Sequence, residues 1–124
     1  MDDDTGQGDD VGKVSSAAGS VELLTTDGPT VLRVTGALDL ALAPKLQQLV
    51  ERAVRHGDRV LVVDLTGVDF LASAGMSVLV RTHREQPGMR VVAEGRVVLR
   101  PLQITRLTDE LDIYPTLAAA VAGR

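Results

Sequence analysis

The sequence predicts a single α/β domain with an N-terminal hairpin, built on a mixed β-sheet of about four to five strands with about four helices. Stretches rich in Val and Leu alternate along the chain with stretches whose apolar residues follow a helical period. Two strand-like segments joined by a turn precede the first helix. The 124 residues have the length of one domain. Right-handed crossovers between the later strands would make the centre of the sheet parallel.

Residues 1–20 are predicted to form a disordered acidic tail, and residues 21–122 the domain. The tail is mostly Asp, Gly, Ser and Ala, and such a segment buries too little apolar surface to offset the entropy lost on ordering. Its five Asp residues and Lys13 account for the whole net charge of −4. The tail is either a solubilising leader or an acidic interaction segment.

The hairpin is predicted from two short strands, Val21–Thr26 and Thr30–Thr35. Between them, Asp27–Pro29 contains the Asp-Gly pair that is typical of hairpin turns, lengthened by a proline. Gly36 is expected to close the pair of strands.

The first helix is predicted over Ala43–His56, where apolar side chains recur at the spacing of one helical stripe. Pro44 suits its first turn, and Gly57 suits the position just after its end. Next, Arg59–Leu65 contains a continuous run of Val and Leu. Such a run is typical of a strand buried on both faces, so it is placed at the centre of the sheet.

The second half of the chain continues this alternation. A helix with one apolar face is predicted from near Ser73 to just before Pro87. A strand, a helix, an edge strand and a last helix follow, over Met89–Ala93, Val98–Ile104, Ile113–Tyr114 and Leu117–Val121. Pro101 is expected in the first turn of its helix, because a later proline removes a backbone hydrogen bond and breaks the helix.

Composition excludes several classes of function. Without cysteine there is no disulfide, thiolate zinc site or Cys nucleophile, and two histidines are too few for a metal cluster. The neutral body and the 2% of aromatic residues offer nucleic acid neither a basic field nor a stacking platform. No apolar run reaches the roughly 18 residues of a membrane helix, and the acidic start lacks the core of an export signal. We therefore expect a cytoplasmic protein with no nucleic-acid or membrane partner.

Three carboxylates are candidates for chemistry: Asp39 after the hairpin, and Asp64 and Asp69 near the end of the central strand. Paired carboxylates serve in acid–base catalysis or Mg²⁺ binding, but Asp side chains also bond nearby backbone in turns. No general base, nucleophile or phosphate-binding glycine motif accompanies them. The sequence therefore predicts structural roles for these carboxylates, no enzyme and no cofactor.

The segment Asp64–Met76, which leads from the central strand into a helix, is the remaining candidate site. Ser73 is expected at the N-cap, where its hydroxyl accepts from first-turn N–H groups. Its neighbours Ala72, Ala74 and Gly75 are small, which leaves the hydroxyl within reach of a large partner. The alternative is an ordinary cap at a tightly packed corner.

Two stretches of the sequence form recognisable motifs, DLTGVDFLASAGMSVL at residues 64–79 and VTGALD at residues 34–39. They resemble the STAS domain of bacterial anti-sigma factor antagonists. In that family the first motif usually contains Asp-Leu followed by Phe-(Leu/Met/Ile)-Asp-Ser-(Ser/Thr/Ala)-Gly-Leu, and the second is Gly-Glu-Leu-Asp. The resemblance covers about Val21–Ala122. Ala72 and Ala37 stand where the family usually has acidic residues, and Leu42 where the first helix often has a polar cap.

The resemblance implies a regulatory binding protein. Family members bind an anti-sigma factor that is also an ATP-dependent serine kinase, and so release the sigma factor; the kinase phosphorylates the motif serine, and a phosphatase restores it. That serine corresponds to Ser73, with Ser77 as an alternative acceptor, and the ATP belongs to the partner kinase. The implied partner-binding residues are Asp39, Ala72, Ser73, Ala74, Gly75, Met76 and Ser77.

Two other functions stay open. The chain could be a STAS adaptor or scaffold subunit that is not phosphorylated, in a lipid-transport complex or a stress-sensing assembly, with Ser73 serving only as a cap. It could also bind a small ligand or nucleotide, although no phosphate-binding loop supports this.

Overall fold

Six strands form one mixed sheet in the computed structural model of the chain, which describes residues 12–55, 57 and 59–123. The first three strands pair antiparallel, and each later strand pairs parallel with the one before it. Their order in the sheet is their order along the chain. The predicted α/β class is confirmed, with six strands where about four to five were expected. The strands are β1 (Lys13–Ser15), β2 (Gly19–Thr25), β3 (Thr30–Leu38), β4 (Leu61–Leu71), β5 (Arg90–Val92) and β6 (Ile113–Tyr114).

In the described part of the chain, four α-helices and one short 3₁₀ helix connect or follow the parallel strands. The predicted helices are confirmed. The first helix ends at Arg55 and the last at Ala122. His56, the predicted end of the first helix, lies outside the described residues. No helix among the described residues is long and apolar enough to cross a membrane. The helices are α1 (Ala43–Arg55), α2 (Ser73–Glu85), α3 (Arg96–Ile104), the 3₁₀ helix η1 (Leu107–Asp109) and α4 (Leu117–Ala122).

The core has two parts, one on each face of the sheet. Alternate residues of a strand point to opposite faces, so Leu32 and Val63 join the larger cluster with α1, α2 and α3. Val31 and Val62 join a smaller cluster that Ala120 of α4 covers. The continuous apolar run of β4 is thus buried on both sides, which confirms its predicted central position.

The predicted disordered tail is wrong for residues 12–20, and residues 1–11 lie outside the described residues. β1 pairs with β2, with Val14 opposite Val21, and Val14 packs against the larger core cluster. The ammonium group of Lys45 on α1 donates to the Ser15 carbonyl. A three-residue strand with one apolar side chain has no detectable period in the sequence, because its order comes from this pairing.

Gly36 lies within β3 and does not close the hairpin as predicted. Its φ of 79° falls in the left-handed region that glycine adopts readily. A Cβ built there would lie 2.2 Å from the Ala18 carbonyl oxygen. The register with β4 shifts just after this residue, so Gly36 forms an irregularity that carries β3 on to Leu38.

β4 continues to Leu71, beyond the predicted end at Leu65 and through the segment expected to be a loop. The Asp64 carboxylate accepts from the backbone N–H and the hydroxyl of Thr66, at 3.0 and 2.8 Å. Near this point the register with β3 shifts, between Arg33 and Thr35. Such an irregularity disturbs the alternation of side chains, and this is why the sequence pattern appeared to end there.

α3 begins at Arg96, two residues before the predicted start, so Pro101 lies in its second turn. The expectation that Pro101 occupies the first turn is wrong. A proline here lacks the N–H that would bond four residues back, but Val98 and Leu102 are buried in the core and hold the helix on the sheet.

Candidate functional site

Asp39 and Ser73 lie at the same edge of the sheet, at the carboxyl ends of β3 and β4. The last residues of these parallel strands, Leu38 and Leu71, are paired. The backbone N–H of Ala72 donates to the Leu38 carbonyl at 3.0 Å. The structure therefore brings together two site residues that are far apart in the sequence.

Ser73 is the first residue of α2, and Ala72, in extended conformation, is the N-cap. The prediction that Ser73 is the N-cap is wrong by one residue, because β4 runs into α2 through Ala72 alone. The helix has no side-chain cap hydrogen bond. The side chain of Ser73 is exposed, so its hydroxyl is at the surface and is not used to cap the helix.

The first turn of α2 can accommodate an anion. Its N–H groups at Gly75 and Met76 donate to the Ala72 carbonyl, at 3.0 and 3.1 Å. Within the described part of the chain, the N–H groups of Ser73 and Ala74 have no backbone acceptor, as is usual at a helix start. These groups and the helix dipole favour negative charge on Ser73.

Gly75 fixes the distance between α2 and β3. A Cβ on this buried residue would lie 2.6 Å from Leu38 Cγ and 2.9 Å from the Leu38 carbonyl oxygen. Only glycine fits this approach without displacing the end of β3. Gly75 therefore positions Ser73 and does not present a side chain to a partner.

Asp39 caps the turn that leads into α1. Its Oδ1 accepts from the N–H groups of Ala41 and Leu42, at 3.1 and 3.0 Å, and its carbonyl accepts from Ala43 at 2.9 Å. Because Asp39 supplies these acceptors, Leu42 needs no polar side chain and is fully buried.

The other two carboxylates do not join Asp39 in a catalytic group. Asp64 is buried, bonds Thr66 as described, and lies 3.9 Å from Arg33 Nε, whereas the Asp69 side chain is exposed. Among the described residues, no group of three or more His, Cys, Asp or Glu side chains could hold a metal ion. The bonds of Asp39 and Asp64 are the structural roles that the sequence predicted.

Replacing Asp39 with Ala is expected to destabilise the fold by about 1 kcal/mol, because two N–H groups lose their acceptor. Urea denaturation followed by circular dichroism measures this change. Asp69→Ala, at an exposed carboxylate, is the matched control and should change stability by less than about 0.5 kcal/mol. Equal effects of the two substitutions would contradict the capping role of Asp39.

Two large apolar side chains are exposed at the edge of the sheet where Asp39 and Ser73 lie. Leu40, directly after Asp39, is 78% exposed, and Phe70, near the end of β4, is 54% exposed. Phe70 is paired with Ala37 of β3, and so lies at the same edge. Sequence reasoning missed both residues, since an isolated Leu or Phe in an apolar segment is ordinarily expected inside.

The remaining predicted residues divide between a groove and the core. Ser73, Met76 and Ser77 line one groove of about 640 Å³ along α2. Ala74 is half-buried and packs against the larger core cluster. The edge of the sheet and the groove meet at Ser73, which belongs to both.

Comparison with known proteins identifies the family. The STAS domain model matches residues 20–120. Anti-sigma-F factor antagonist RsfB of Mycobacterium tuberculosis is 32% identical over 113 residues, which cover 87% of this chain and 93% of RsfB. An anti-sigma factor antagonist from Mycobacterium paratuberculosis has a similar structure, with a TM-score of 0.80 and 32% identity over 89% of this chain and 97% of that one.

A more distant structure shares the fold. The anti-sigma factor antagonist SpoIIAA in its unphosphorylated form matches with a TM-score of 0.67 and 18% identity, over 84% of this chain and 97% of SpoIIAA. The chain with this six-stranded sheet and the helix that starts at Ser73 therefore belongs to the STAS domain family of anti-sigma factor antagonists.

Proposed function

We propose that this protein binds an anti-sigma factor that is also a serine kinase, releases a sigma factor for transcription, and is switched off by phosphorylation of Ser73. The observation that carries the proposal is the exposed hydroxyl of Ser73 at the start of α2, where it caps nothing. The exposed Leu40 and Phe70 give the same edge of the sheet an apolar surface for a partner.

The proposed switch needs no refolding. A phosphate adds a charge of about −1.5 to −2. At the start of α2 the charge meets N–H groups and the positive end of the helix dipole, so the fold tolerates it. In the complex the same charge would be desolvated against a surface that fits a neutral hydroxyl, and the complex would weaken.

In the proposed reaction the Ser73 oxygen attacks the γ-phosphorus of ATP held by the partner kinase. The bond between the Ser73 oxygen and the γ-phosphorus forms, the bond from that phosphorus to the ADP oxygen breaks, and a base of the partner kinase takes up the hydroxyl proton. This chain contributes only the acceptor and has no catalytic activity or cofactor of its own. A phosphatase would hydrolyse the phosphoserine, and the cycle would run in the cytoplasm, where sigma factors act.

The test is phosphorylation by the purified anti-sigma factor kinases of the source organism, with ATP and mass-spectrometric mapping. We expect one phosphate on the wild-type protein and none on Ser73→Ala. Ser77→Ala, one turn further along α2, is the matched control and should still be modified. Undiminished modification of Ser73→Ala would contradict the role of Ser73. Co-purification with transporter ATPase subunits in place of an anti-sigma factor, without phosphorylation of Ser73, would support the adaptor function instead.

A further inference from the structure

A groove runs along α2 where it faces the end of α3 and η1. Its volume is about 640 Å³, within the roughly 300–1,000 Å³ range of ligand-binding clefts. Half-buried apolar side chains of Met76, Val80 and Leu107 form its floor. Exposed polar and charged side chains form its rim, namely Ser73, Ser77, Arg81, Arg84, Glu85 and Thr105.

Contacts between its two walls fix the shape of the groove. The Thr105 hydroxyl contacts Met76 Sδ at 3.7 Å and bonds the Pro101 carbonyl at 2.8 Å. At the other end, Arg84 Nε lies 3.4 Å from a carboxylate oxygen of Glu110. The groove is therefore formed before any partner binds.

One cation of the rim, Arg81, bonds no anion among the described residues, although Glu85 lies on the same rim. Ser73, Ser77 and Arg81 follow one another at four-residue spacing, so they lie along one side of α2. Arg84 is paired with Glu110, whereas no described residue forms a hydrogen bond or ion pair with the guanidinium of Arg81. Glu85, at the end of α2, also lines a separate depression against α1, and lies one turn farther than Arg81 from Ser73.

We infer that this groove binds an amphipathic helix of the anti-sigma factor, with apolar side chains on Met76, Val80 and Leu107 and an acidic residue on Arg81. The inference rests on the proposed function, because Ser73 lies at the end of the groove. Helices bind grooves of this kind through apolar side chains one turn apart. The Arg81 guanidinium, which bonds no described residue, favours an acidic helix, and phosphate on Ser73 would repel the same acidic charge.

The proposed contact between Arg81 and an acidic residue of the partner helix explains how one phosphate on Ser73 would dissociate a larger interface. In the unphosphorylated protein the rim has a neutral hydroxyl at one end and the Arg81 cation two turns along. After phosphorylation, negative charge stands at the entrance of the groove and reverses the local potential that attracts the acidic helix. Complementary potentials govern both the rate of association and the choice of partner.

The test compares two groove variants with two matched variants on α3. Arg81→Glu and Val80→Lys should each weaken binding of the purified, unphosphorylated anti-sigma factor by about tenfold or more, measured by isothermal titration calorimetry. Arg100→Glu and Val97→Lys change the same residue types at exposed positions outside the groove, and should bind within about twofold of wild type. Thermal melting confirms that each variant is folded.

The outcomes separate the groove from the proposed function. If wild type binds no anti-sigma factor of the source organism, the proposed function fails. If the wild type binds and Arg81→Glu binds equally well, the assignment of the groove is wrong but the proposed function is not contradicted. Because Arg81 is exposed, this variant stays informative even if Val80→Lys is unstable. Self-association of the wild type that Arg81→Glu abolishes, with unchanged anti-sigma binding, would assign the groove to a second copy and overturn the inference.

Discussion

Val62→Asp is expected to leave the protein unfolded at room temperature. Val62 is fully buried in the central strand β4 and packs with Val31, Val92 and Ala120. A carboxylate there must either be desolvated or take up a proton, because the residues packed around it in this cluster are apolar. The Arg90 guanidinium, on the residue of β5 paired with Val62, is already bound to the Ala120 carbonyl. The cost of several kcal/mol is comparable to the roughly 5–15 kcal/mol that keeps a domain folded.

Circular dichroism and urea denaturation measure this effect. The matched control is Val97→Asp, which makes the same substitution at a residue that is 53% exposed in the first turn of α3. An acidic side chain is favourable at that end of a helix, so the control should unfold near the wild-type midpoint. A Val62→Asp variant with a cooperative transition at that midpoint would contradict the position of β4 between β3 and β5.

Ser73→Asp is expected to lower the affinity for the anti-sigma factor about 100-fold, since a loss of a few kcal/mol follows when a desolvated charge replaces a neutral contact. Its free energy of unfolding should stay within about 1 kcal/mol of wild type, because an acid suits the start of α2. Titration calorimetry measures the affinity, and urea denaturation measures the stability.

Ser73→Asn is the matched control for this charge. Asn has nearly the same shape as Asp and is neutral, so it should retain most of the affinity that Asp loses. Equal losses for the two variants would mean that size, and not charge, controls binding at this position. Unfolding of Ser73→Asp would contradict the exposed placement of the side chain.

Local patterns in the sequence were sufficient for the elements whose order depends on their own residues. The apolar stripe of α1 and the continuous run at the start of β4 predicted both elements correctly. The Asp-Gly turn between β2 and β3 predicted the hairpin. In each case the period of the apolar residues, or the conformation a turn requires, is already present in a short segment.

The errors fall where pairing with another segment overrides the local pattern. β1 exists because β2 offers it an edge, and the end of β4 continues because Asp64 and Gly36 allow its register to shift. The N-cap at Ala72 likewise follows from the direct junction of β4 and α2. For none of these three features does the local sequence contain a hydrophobic period or a motif that would predict it.

The candidate site divides in the same way. Ser73 and Asp39 were predicted, because a motif and its resemblance to a family identify individual positions. The exposure of Leu40 and Phe70 was not predicted, nor was the position of Arg81 in a groove where it bonds none of the described residues. The exposure of a side chain and its bonding partners depend on the residues that lie around it in the folded protein. The arrangement of the sheet and helices determines those neighbours, and a short segment of sequence does not.

The contact between Lys45 and the Ser15 carbonyl has a consequence for polymerisation. On either side of β1, the backbone groups of Gly12 and Ser16 bond β2, whereas the Ser15 carbonyl accepts from the lysine of α1. An edge strand with free carbonyls is a template for strands of other molecules, and a charged lysine on that edge is a common protection against it. The contact with Lys45 thus removes one carbonyl of this border from those available for pairing with strands of other molecules.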